Sequence, residues 1–232
     1  MKPRTILFSL FLKAPFVYAE EKISLQWAIC DPTPQDTLAK LGLDEALPYK
    51  ENPITYYDED PPIHISSGLM FRTKTNKGQP LSTVKVRFPE VVPGVPDFVD
   101  CSWDYYGGNR PSFTCEKRCP LDSKIWHEEQ VQFAERYGTV DWDMLRAYGP
   151  YQNAKWKVQV GGHKTKFDDV VAGELHLMEI EAKVLKEEAD DALQAITHYL
   201  NERSVVLCEP QEGKTMRLFR AMGHFGNGRE EL

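Results

Sequence analysis

Much that would make a function plain is missing from this sequence. Its 232 residues carry only five cysteines, and 28 Lys and Arg stand against 35 Asp and Glu. The resulting net charge of −7 argues against a general nucleic-acid binder. There is no G-x-S-x-G, Walker A or H-E-x-x-H motif, so nucleophilic serine catalysis, P-loop phosphate binding and zincin chemistry have no positive sign. Cys115 and Cys119 have a tolerable spacing for zinc, but no second well-spaced pair accompanies them. No N-x-S/T sequon, internal repeat or low-complexity segment is present. The apolar run at residues 5–12 is far shorter than the ~20 residues of a membrane-spanning helix, and no other segment reaches that length.

What is present begins with a leader-like start. Met1-Lys2-Pro3-Arg4 is basic, residues 5–12 are apolar, and Val17-Tyr18-Ala19 sets small residues before a cleavage point. This predicts a signal peptide over 1–19, one domain over 20–224 and a flexible tail over 225–232. It places the protein in the secretory pathway or outside the cell, with no membrane association once the signal is removed. The competing readings of the start are a buried first strand and a start with no targeting role. The cysteines suit an oxidising compartment. Cys101 and Cys115 lie equidistant from Gly108, so a hairpin centred there sets them opposite each other. Cys30, Cys119 and Cys208 remain, which leaves at least one thiol unpaired or paired between chains.

Residues 68–88 organise the rest. They read as two strands joined at Asn76-Lys77-Gly78. Leu69, Phe71 and Thr73 share one face of the first strand, Arg72 and Lys74 the other. In the second strand Val84, Val86 and Phe88 face one way, Lys85 and Arg87 the other. The apolar side can pack against helices. The other side gathers four cations, which destabilise a sheet unless water, acidic neighbours or an anion offsets them. In an acidic protein such a patch points to a specific small anion. The competing reading is a solvated basic sheet face.

Period-two alternation predicts further strands at 22–29, 53–58, 155–160, 174–184 and 204–208, and a cysteine hairpin at 101–115. Caps and helical spacing predict helices from Thr33-Pro34, then over 123–137, 142–147, 186–203 and 214–222. On 22–29 the polar face carries Ser24 and Gln26; on 174–184 one face carries Glu179, Glu181 and Lys183. About eight strands with polar inward rows predict an α+β fold, an antiparallel eight-stranded tunnel-like barrel with flanking helices and a wet interior.

The order of motifs resembles the CYTH superfamily, the triphosphate tunnel fold of class IV adenylyl cyclase and thiamine triphosphatase. The residues that carry the likeness are Thr55-Tyr56-Tyr57-Asp58, then Gly68 to Lys74, Thr83-Val84-Lys85-Val86-Arg87, and Met178-Glu179-Ile180-Glu181. The Cys101-Ser102-Trp103-Asp104 stretch and Tyr148-Gly149-Pro150 also resemble larger CYTH-like proteins of unassigned activity. The resemblance implies a tunnel in which Arg72, Lys74, Lys85 and Arg87, with Gln26 and Tyr57, bind a phosphorylated substrate. It implies that Glu179 and Glu181 hold Mg²⁺ or Mn²⁺ and serve catalysis in a phosphohydrolase. One departure bears on that chemistry. Where the family's first strand has E-x-E-x-K, this one offers Ser24, Gln26 and Ala28, and an amide is a poor ligand for a hard cation. Glu179 and Glu181 then either ligate a metal or neutralise the tunnel cations.

Three functions follow. The first is a tunnel protein that binds a small anionic, phosphorylated molecule and acts on it. The second is a secreted or vesicular accessory enzyme that uses the tunnel for acid/base work on a non-phosphate substrate. The third is a non-enzymatic secreted binding or effector protein whose inner charges pair only with one another. Secondary candidates are His64, read as a solvated loop histidine near the tunnel mouth, and His176, read as facing away from Glu179 and Glu181. Asp58 and Asp104 are further carboxylates, and the aromatics Tyr56, Tyr57, Trp103, Tyr105 and Tyr106 are predicted core and barrel wall.

Overall fold

Alternating side chains close this chain into a tunnel. The computed structural model describes residues 22–106 and 111–224. The leader reading of 1–19, the tail at 225–232 and the hairpin tip at Gly108 lie outside the described residues. The first strand, β1 (Lys22–Ile29), leads to α1 (Pro34–Lys40), where Thr33 caps the helix by accepting from the Asp36 amide. A two-residue β2 (Lys50–Glu51) and β3 (Ile54–Asp58) follow, then the hairpin of β4 (Leu69–Asn76) and β5 (Gln79–Phe88). The cysteine hairpin is β6 (Asp100–Tyr106) and β7 (Ser112–Pro120), with Cys101 opposite Cys115 and disulfide-bonded to it. Next come α2 (Glu128–Glu135), β8 (Arg146–Val160), β9 (His163–Ala172) and β10 (Leu175–Leu185). The helices α3 (Ala189–Glu202) and α4 (Lys214–Ala221) complete the described chain.

The 15-residue β8 shuts the wall. Its first part pairs with β3, setting Tyr148 opposite Tyr56, and the remainder pairs with β9, setting Trp156 opposite Phe167. Nine strands form a closed barrel in the order β8-β3-β4-β5-β7-β6-β1-β10-β9, and β2 is appended to β8. Every pairing is antiparallel except that of β1 with β6. The predicted tunnel-like barrel with flanking helices is present, with one strand more than expected and one parallel pair.

Four stretches differ from the sequence reading. The helix expected over 123–137 is the shorter α2, which starts only at Glu128, and 204–208 forms no strand but a single bridge of Leu207 to Ile29 at the end of β1. Residues 142–147 do not form a helix: after a turn, Arg146 begins β8. A strand edge on β3 supplies hydrogen bonds that outweigh a weak local helical pattern. The strand β9 was not foreseen at all, because its outward row, Thr165 and Phe167, is brief and ends in Asp169.

Outward-facing side chains build the core as a shell around the tunnel. Leu25, Trp27, Phe167 and Ile180 pack with Ile196 and Leu200 of α3. Phe71, Val84 and Val86 pack with Phe133 of α2 and with Trp126 and Trp142. Each such burial stabilises the fold by ~1.5–3 kcal/mol. Met216, Leu218 and Phe219 of α4 meet Ile54, Tyr56, Val170 and Leu177, and so stop one end of the tunnel. The segment before α4 bonds back to β1 through the Cys30 amide to Val206 and the Cys208 amide to Ala28, and a Cys30–Cys208 disulfide fastens it. Cys119 is a buried free thiol. No helix among the described residues is long and apolar enough to cross a membrane. Gly68 sits at φ +83°, where an added Cβ would lie 2.6 Å from the Arg87 carbonyl oxygen, so this turn into β4 requires glycine.

Candidate functional site

The tunnel encloses a cavity of about 340 Å³, lined by ten Lys and Arg side chains and five Asp and Glu. A chain of net charge −7 thus keeps a cationic interior. One half of the wall is the basic hairpin and its neighbour. Register sets the parity: Ile54 lies opposite Lys74 and Tyr56 opposite Arg72, and β4 and β5 turn Arg72, Lys74, Lys85 and Arg87 inward together. From β7, Glu116 and Arg118 join them. Arg72 Nη2 lies 3.6 Å from Glu116 Oε2, and Arg118 pairs with the other oxygen of the same carboxylate. Lys85 Nζ donates to Asp104 Oδ2 at 2.9 Å, Thr114 Oγ1 donates to that oxygen at 3.1 Å, and Arg87 approaches it at 4.0 Å. Arg87 also stacks over Tyr106, 5.4 Å from the ring centroid. Burial alone would raise the Asp104 pKa, but Lys85 and Arg87 outweigh it and hold the carboxyl below its usual range.

Lys74 differs from its neighbours. Its ammonium makes no ion pair or hydrogen bond with any described residue. The positive charge of Arg72, then burial, then Lys155 and Arg118 push its pKa down to about 6. Near neutral pH its amine is therefore largely uncharged, held in a ring of cations.

The opposite wall carries the acids. In the β9–β10 pairing Asp168 stands beside Glu179, and in the β1–β10 pairing Gln26 stands beside Glu181. Lys214, the first residue of α4, donates to Asp168 Oδ1 at 2.7 Å and to Glu179 Oε1 at 2.7 Å. Lys155 takes the second Asp168 oxygen. Burial would raise Asp168, but Lys214 and Lys155 hold it well below the carboxylate range. Burial dominates at Glu179 and raises it, against the pull of Lys214. Ser24 Oγ donates to Glu181 Oε1 at 3.0 Å, and Lys166 and Lys183 approach the same carboxylate at 3.7 and 3.8 Å. Gln26 Nε2 donates to Ser24 Oγ at 3.2 Å.

The site residues expected from the sequence therefore come together, with one exception. Arg72, Lys74, Lys85, Arg87, Gln26, Glu179 and Glu181 all line the cavity. Tyr57 does not. It faces outward against Trp126, with ring centroids 5.3 Å apart, and Tyr56 takes the inward position. His64 is not a solvated loop residue: it is 3% exposed and stands edge-on to Phe71. Asp58 draws it in by accepting from the amides of Glu59, Ile63, His64 and Ile65, and so serves the loop rather than the cavity. His176 Nδ1 lies 2.7 Å from the buried Asp169 carboxylate. Sequence reasoning missed Glu116, Arg118, Lys155, Lys166, Asp168 and Lys214 as tunnel residues. The alternation Thr114, Glu116, Arg118 was a usable signal; nothing in the sequence marked Lys214.

Mg²⁺ or Mn²⁺ at Glu179 and Glu181 needs oxygens that are open to it. Here Glu179 and Asp168 are joined by an ammonium, Glu181 is engaged by Ser24 and two lysines, and β1 contributes a hydroxyl and an amide. As arranged, this donor set does not fit a hard divalent cation. Among the described residues no group of three or more His, Cys, Asp or Glu is set to hold a metal.

No protein-family model matches the chain, and no curated protein does. Among solved structures, it is similar to an adenylyl cyclase-like protein from Hippeastrum described as having a dominant triphosphatase activity. Identity is 15%, with a TM-score of 0.51, over 91% of this chain and 100% of that one. It is also similar to a protein from Bacillus halodurans described as a candidate adenylate cyclase, at 13% identity and a TM-score of 0.58, over 86% of this chain and 98% of that one. At these identities the likeness shows a shared fold.

Proposed function

We propose that this protein of CYTH-like tunnel fold binds a small polyanion, with the charge and size of an inorganic triphosphate or a compact phosphorylated metabolite, in the basic half of its tunnel. The carrying observation is that nine Lys and Arg side chains, besides the largely uncharged Lys74, face five carboxylates around one cavity of about 340 Å³. Internal pairing cannot neutralise that excess, which speaks against inner charges that serve only one another. Cations in a partly dry cavity make charge-assisted bonds to phosphate oxygens that are stronger than at a surface. The triphosphatase activity described for the Hippeastrum protein supports the same ligand chemistry. Two disulfides support a working place in an oxidising compartment, where a secreted protein resides.

A second reading is favoured by Lys74. An amine with a pKa of about 6 can accept a proton from a substrate near neutral pH, which suits acid/base chemistry on a non-phosphate compound. Thermal unfolding with inorganic triphosphate separates the two. Saturating triphosphate is expected to raise the Tm of the wild type; a concentration one hundred times Kd contributes ~2.7 kcal/mol. Lys74→Met leaves no partner unpaired and is expected to weaken binding at least about tenfold, with Arg72→Gln acting in the same direction. An unchanged wild-type Tm would discard the polyanion reading and leave the acid/base one.

A further inference from the structure

We propose that the Lys214 ammonium is a built-in replacement for a divalent cation on the acidic wall of the tunnel. Three observations carry it. First, Lys214 bridges two carboxylates from adjacent strands, Asp168 and Glu179, at 2.7 Å each, with a side chain only 15% exposed. A bridging position between two converging carboxylates is one a metal ion would take. Second, the ammonium is delivered by the chain itself: it opens α4, whose apolar face is locked against Tyr56, Val170 and Leu177. The Cys30–Cys208 disulfide holds the preceding segment to β1. The cation is therefore in place before any ligand arrives, and its ordering cost falls on folding rather than on binding. Third, the neighbouring strand offers nothing to a second cation. Ser24 donates its proton to Glu181, and Gln26 donates to Ser24, so both side chains complete a hydrogen-bond chain instead of a ligand shell. Mg²⁺ or Mn²⁺ would need several more oxygens in near-octahedral array, beside Lys155 and Lys214, in a cavity already rich in positive charge.

This deepens the polyanion reading and rests on it only for what the ammonium serves: a bound anion meets Lys214 on the acidic wall without a bridging metal. The test uses the metal alone, so its failure and the failure of the polyanion reading are distinguishable. Mn²⁺ binding is followed by electron paramagnetic resonance on the full protein, without phosphate. Wild type is expected to show no site tighter than about 1 mM. Lys214→Ala frees Asp168 Oδ1 and Glu179 Oε1, with Lys155 still on Asp168 Oδ2, and is expected to gain affinity for Mn²⁺ by at least about tenfold. Adding Glu179→Gln to it is expected to remove the gain. Lys214→Met, which keeps the length of the side chain, serves where the alanine variant fails to fold, and the wild-type titration decides independently of both. A tight Mn²⁺ site in the wild type that is lost in Glu179→Gln overturns the proposal, as does a folded Lys214 variant that gains no affinity.

Discussion

At the scale of single residues, buried charge here divides between structure and site. Asp58 belongs to structure. Its two oxygens accept four backbone amides across residues 59–65 at 2.8 to 3.0 Å, and the side chain is 1% exposed. Removing it strands buried donors, each worth ~1–3 kcal/mol. Asp58→Ala is therefore expected to destabilise by at least ~3 kcal/mol in urea unfolding, and a loss below ~1 kcal/mol would contradict this role. Lys74 belongs to the site, because it lines the tunnel among Arg72, Arg118 and Lys155 without a carboxylate of its own, a placement that costs stability and leaves it ready for an anion. Tyr57 and His64 show what single-residue reading cannot see. Both tyrosines of Tyr56-Tyr57 suit a wall, and only the register against Arg72 and Phe71 decides which one faces in. The Pro61-Pro62 loop reads as exposed, yet Asp58 folds it over so that His64 is sealed against Phe71.

At the scale of elements, legibility follows periodicity. Strands β1, β4, β5 and β10 have one apolar and one polar row, and a one-residue slip would turn every side chain over, so their faces were readable. The helix α3 announced itself by the spacing of Ala189, Leu193, Ile196 and Leu200, three of which it buries together with Ala192. In β8 and β9 the rows are mixed, and their pairing with β3 and with each other is a long-range fact that no local pattern encodes. The placement of α4 was equally hidden. That its first residue reaches across the tunnel depends on the apolar contacts of Phe219 and on the tether at Cys30–Cys208, which spans 178 residues of sequence. Losing a disulfide typically costs ~2–5 kcal/mol. Cys30→Ser/Cys208→Ser is expected to lower the Tm and to expose the segment before α4 to limited proteolysis. Equal protease resistance in both forms would mean that packing alone holds α4.

At the scale of the whole molecule, a chain with seven more acidic than basic groups turns its cations inward. The barrel does this by parity, most plainly on β1 and β5, where an apolar row faces out to the helices and a polar row faces the tunnel. The sequence showed five of those cations, Lys183 among them, and the two glutamates; closure of the barrel supplied the rest. The most direct measurement is calorimetric titration with inorganic triphosphate in EDTA, at pH 6 and pH 8, for the wild type and Lys74→Met. An anion restores charge to Lys74, whose pKa in the unliganded protein is about 6 against an ordinary 10.5. Above pH 6 the complex therefore holds more protons than the unliganded protein. Its affinity rises as pH falls, by up to about tenfold per pH unit, and levels off below pH 6. One-site binding is expected, tighter at pH 6, with proton uptake beyond that of Lys74→Met. No binding at either pH would contradict the polyanion tunnel itself.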